Sequence, residues 1–68
     1  MTETREQILN KMNEINAELR EIKEEMQAIA TKDNINYMDA AIGNLLMHRV
    51  MLLNKEFELL NERYLDMQ

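Results

Sequence analysis

A single line of apolar residues limits what the first half of this chain can become. Ile8, Met12, Ile15, Leu19, Ile22, Met26 and Ile29 follow one another at spacings of four, three, four, three, four and three. An α-helix brings such residues onto one stripe, and the alternation is the seam of a coiled coil, whose helices bury that stripe against each other. Isoleucine takes every d position, and Met, Leu and Met take the a positions. In parallel coiled coils, leucine at a with isoleucine at d leans toward four strands rather than two. The spacing predicts a first helix over about residues 3–31, capped by Thr2 or Thr4. Glu3 and Glu6 then fall in its opening turn, where the helix dipole favours negative charge.

The seam ends in TKDNIN, residues 31–36. Its next position would be Asp33, and Asp and Asn favour turns because their side chains bond their own backbone. A reversal is predicted over about 32–36, followed by a second helix over about 37–67. Asn36 caps that helix and Asp39 supports its first turn. Leu46, Val50, Leu53, Phe57, Leu60, Tyr64 and Met67 repeat the four-three spacing and match the first seam. The fold class is therefore all-α: a two-helix antiparallel hairpin forming one unit over 1–68, with no proline and one glycine to oppose it. That glycine, Gly43, with Ala40 and Ala41 beside it, either lets another helix approach closely or breaks the second helix into a three-helix chain.

The second helix carries more apolar surface than one neighbour can cover. Met38, Leu45, Leu52 and Leu59 recur every seven residues, widened by Ile42 and Met51. With the seam they span roughly 200° of a helical wheel, far beyond the stripe of an ordinary surface helix. An exposed ribbon of large apolar side chains marks an interface. Met38, Ile42, Leu45, Arg49, Met51, Leu52 and Leu59 are read as that protein interface. Its expected occupant is a second copy, giving a homodimeric four-helix bundle with coiled-coil-like packing or a higher homo-oligomer; the alternative is a groove for a different, unidentified protein. Size favours association: a chain of 68 residues buries only about 60% of its unfolded surface, and without cysteine it has no disulfide to compensate.

Charge adds two candidates. Arg49 has Leu45, Leu46, Leu52 and Leu53 three and four positions away, so it needs a carboxylate from helix 1 or from a partner chain, or else it recognises an acidic ligand. Glu14, Glu18, Glu21 and Glu25 form an acidic ridge beside the d positions. The ridge is a solvated face partly neutralised by Arg20 and Lys23, a source of salt bridges within an oligomer, or a docking surface for a basic partner.

Several functions are excluded by what the chain lacks. The net charge is −5 and acids outnumber bases in both halves, so neither a nucleic-acid footprint nor a membrane-surface footprint exists. No apolar run approaches the roughly 18 residues that span a bilayer. The opening MTETREQ lacks the apolar core of a signal peptide. A cytoplasmic protein is expected, and eight asparagines amid many Ile, Lys, Glu and Met resemble the usage of AT-rich bacteria or their phages. There is no serine or cysteine, and the one histidine, His48, has no carboxylate or second histidine three or four residues away. No catalytic residues, no metal ligands and no cofactors are assigned. The expected function is a non-enzymatic protein-binding module, an adaptor, inhibitor or regulator, with a structural coiled-coil subunit of a larger assembly as the alternative.

One short run points to a different class. Asn54-Lys55-Glu56-Phe57-Glu58 resembles, in its placement on the second helix, the Ser-Gln-Glu-Leu-Asp run of small helical hairpins from Gram-positive bacteria that dephosphorylate a sporulation response regulator. Glu56 is the identical residue, and Asn54 and Glu58 stand where that family has Ser and Asp. The resemblance implies an aspartyl-phosphate phosphatase activity carried by Glu58.

Overall fold

In a computed structural model, which describes residues 3–67, the chain forms the all-helical pair expected of its two seams. Helix α1 spans Arg5–Ala30 and α2 spans Tyr37–Asp66, and they pack against each other along their lengths. At 26 and 30 residues and 1.5 Å per residue they are close enough in length to cover one another, giving a rod of 51 × 17 × 15 Å.

Each helix begins on a reciprocal cap. Thr4 Oγ1 accepts from the Gln7 N–H at 3.1 Å, and the Thr4 N–H donates to Gln7 Oε1 at 2.9 Å. Two of the donors that a helix start leaves unpaired are thereby satisfied. Thr2, the other candidate cap, lies outside the described residues. At α2 the Asp39 N–H donates to Asn36 Oδ1 at 2.8 Å, and the Asn36 N–H returns to Asp39 Oδ2 at 3.3 Å. Lys32, from the turn, donates to Asp39 Oδ1 at 2.8 Å. Asp39 is buried, and the Lys32 ammonium, with the Asn36 N–H, holds its carboxyl below the usual carboxylate range. The turn is thus held by an acid that closes a cap and an ion pair together.

Between these ends the seams meet. Ile8, Met12, Ile15 and Ile22 of α1 and Leu53 and Leu60 of α2 are buried, with Leu19, Met26, Leu46, Val50, Phe57, Tyr64 and Met67 packed partly buried against them. Ile8 and Leu53 are the most enclosed, at 0% and 1% exposure. Ile29 is half-buried where the seam runs out into the turn. Arg5 lies over the Tyr64 ring at 4.4 Å from its centroid, closing the open end with a cation–π contact.

Gly43 does not break α2. The helix runs through it without a positive φ, and a Cβ placed there meets nothing within 4 Å. The three-helix alternative is corrected on this ground, since one glycine costs only about 1 kcal/mol in a helix interior and the caps and seam on either side outweigh it.

Candidate protein interface

The outer stripe of α2 is bare in the hairpin. Met38, Leu45, Leu52 and Leu59 are 69%, 70%, 62% and 53% exposed, and Ile42 and Met51 are exposed with them. Helical geometry explains the division. Leu53 lies about 100° around the helix from Leu52, so when the seam of Leu46, Leu53 and Leu60 turns to α1, the residue before each one turns away from it.

Two ion pairs across the hairpin mark how the helices lie side by side. Arg49 donates from Nε and Nη2 to Glu18 Oε1 at 3.1 and 2.9 Å, and Arg63 Nη1 donates to Glu3 Oε1 at 3.2 Å. The acids are fifteen residues apart in sequence, Glu3 standing before the Thr4 cap rather than in the opening turn expected for it, and the arginines are fourteen apart on α2, as an antiparallel register requires. Lys11 Nζ also lies 3.3 Å from Glu3 Oε2. The carboxylate that Arg49 needs comes from Glu18 of α1, and the arginine is more exposed than the buried or half-buried place its leucine neighbours suggest. Its side chain and that of Glu18 are 52% and 41% exposed, because the four leucines divide between the seam and the outer stripe and leave the guanidinium at the groove edge. An exposed pair of this kind contributes about 0–1 kcal/mol.

That register brings Glu14 and Glu18 of the acidic ridge and Leu59 of the apolar stripe to one groove. A shallow groove has Ile15, Leu53 and Leu60 as its apolar lining, with Lys11, Glu14 and Glu18 of α1 along one rim and Arg49, Glu56, Leu59 and Arg63 of α2 along the other. Three bases and three acids make the rims neutral overall. Glu21 and Glu25 are exposed and continue the ridge toward the turn. The expectation that Lys23 helps neutralise this ridge is corrected: Lys23 lines a separate depression with Leu19, Met26, Gln27, Ala30 and Val50, because two residues beyond Glu21 is about 200° around a helix. Arg49, from the other helix, pairs with the ridge at Glu18.

Met51 lies apart from the groove, in a shallow depression with Asn54, Lys55, Phe57 and Glu58. Glu58, the residue singled out by the phosphatase resemblance, is exposed there. Lys11 and Arg63 belong to the groove without having been singled out in the sequence, and Glu56, named there only through the phosphatase resemblance, and Glu3, named only for the opening turn, join them at the groove and its end. Their signal is the antiparallel register itself, which sets Glu3 beside Arg63 once the turn is placed. No cluster of three or more His, Cys, Asp or Glu side chains suited to a metal occurs among the described residues, and no described helix is long and apolar enough to cross a membrane. Comparison with known protein families, curated proteins and solved structures finds no match to this chain.

Proposed function

We propose that the chain is a non-enzymatic protein-binding hairpin that works as a homo-oligomeric helical bundle, in the role of an adaptor, inhibitor or regulator. The observation that carries this reading is the exposure of Met38, Leu45, Leu52 and Leu59 as a ribbon along a helix whose other stripe is already packed. Monomers rarely leave such a ribbon bare, because each large apolar side chain moved out of water contributes on the order of 1.5–3 kcal/mol. Self-association through this stripe gives the four-helix bundle, with α2 innermost and α1 outside it.

Leu52→Glu tests the reading directly. The side chain lies outside the hairpin core, so helicity persists at high concentration while the oligomer falls apart in sedimentation velocity. An oligomer of unchanged mass in this variant would place the interface on another face and remove the argument from the stripe.

A further inference from the structure

We infer that two copies of this chain meet in parallel, stripe to stripe, with their α2 helices running in the same direction and the twofold axis along them. The inference rests on the proposed self-association and adds its geometry. The first support is area. A compact protein of 8.1 kDa exposes about 4,500 Å², whereas this hairpin exposes 5813 Å²; the excess exceeds the roughly 800 Å² that each partner contributes to a standard interface.

The second support is layering. In parallel register Met38, Leu45, Leu52 and Leu59 each meet their own counterpart, so every layer of the stripe is apolar. An antiparallel pair centred on Leu52 joins Leu45 to Leu59 but sets Met38 against Asp66, fourteen residues to either side of the centre. Sliding one antiparallel helix past the other by a full heptad, so that Met38 meets Leu59 and Leu45 meets Leu52, recovers the apolar layers and places Arg49 beside its own copy.

Charge is the third support. The residues flanking the stripe on its two sides fall at neighbouring levels in a parallel pair, so Glu56 meets Lys55 of the second copy and Arg63 meets Glu62, each contact occurring twice by symmetry. Of the other flanking pairs, Arg49 meets His48 and Ile42 meets Ala41, so none joins two acids or two Lys or Arg side chains. The acidic ridge adds to this. Glu14 and Glu18 share the groove with Arg49 and Leu59, so an antiparallel face-to-face dimer lays one copy's ridge on the other's. The parallel dimer carries the two α1 helices to opposite sides of the α2 pair and separates the ridges.

Because the chain has no cysteine, single cysteines report the arrangement cleanly. Leu45→Cys and Leu59→Cys lie on exposed positions and leave the hairpin core intact. Under mild oxidation each variant alone is expected to form a disulfide-linked dimer. If neither variant links to itself, and a cross-link forms only on mixing Leu45→Cys with Leu59→Cys or with Leu52→Cys, the dimer is antiparallel and the inference is overturned while self-association stands. If the unmodified chain has the 8.1 kDa mass of one copy at every concentration, self-association itself fails.

Discussion

Asp39 closes the α2 cap and holds Lys32 in the turn, and its acidity makes that end of the hairpin sensitive to pH. Its carboxyl titrates below the usual value, so the native state favours the charged form. The stabilisation is fully present above the unfolded-state pKa of about 3.9 and is lost as pH falls through the lower folded value. Thermal melts from about pH 6 down to about pH 2 are expected to show the native chain losing stability faster than Asp39→Asn at the acid end; parallel decline of the two would mean that the Lys32 contact contributes nothing. Asn36→Ala removes the other half of the cap and is expected to cost about 1 kcal/mol, read from urea denaturation. Gly43→Ala should act in the opposite direction. Nothing stands within 4 Å of the new methyl group and α2 is helical there, so a gain of about 0.5–1 kcal/mol is expected, and a loss would reveal another backbone packed against Gly43. Of these residues the sequence exposes the caps, because Thr4 with Gln7 and Asn36 with Asp39 stand at capping-box spacing. The Lys32 partnership is not legible there, since it depends on the path of a turn with no periodicity to constrain it.

At the level of the helices, adjacent leucines separate the hairpin core from the proposed interface. Leu53 is buried and Leu52 is exposed, so Leu53→Ala is expected to cost about 2–5 kcal/mol of hairpin stability, enough to unfold much of so small a unit. Leu52→Ala should leave dilute-hairpin stability nearly unchanged and weaken the oligomer. Circular dichroism melts at low and high concentration distinguish the two effects; equal destabilisation of the dilute chain by both substitutions would contradict the assignment of stripe and seam. The seams are legible in the sequence because heptad spacing is a property of one helix at a time. The groove that Glu14 and Glu18 share with Leu59 is not, because it depends on which flank of α1 lies beside which flank of α2. That follows from the antiparallel register marked by Glu18 with Arg49 and Glu3 with Arg63. The place of Lys23 on the far side of α1 from the ridge is a different case, because two residues from Glu21 is about 200° around one helix and the spacing alone carries it.

The whole molecule is a rod rather than a globule. Its radius of gyration is 15.6 Å, against about 11 Å for a compact domain of its length, and two packed helices have no second layer to enclose them. A chain shaped this way gains most from covering its long apolar side, the outer stripe of α2. Mass measured by light scattering across a dilution series, with helicity followed in parallel, tests that claim most directly. The predicted result is a species of twice the 8.1 kDa chain mass that dissociates on dilution; a fully helical chain with the mass of one copy at every concentration would contradict it.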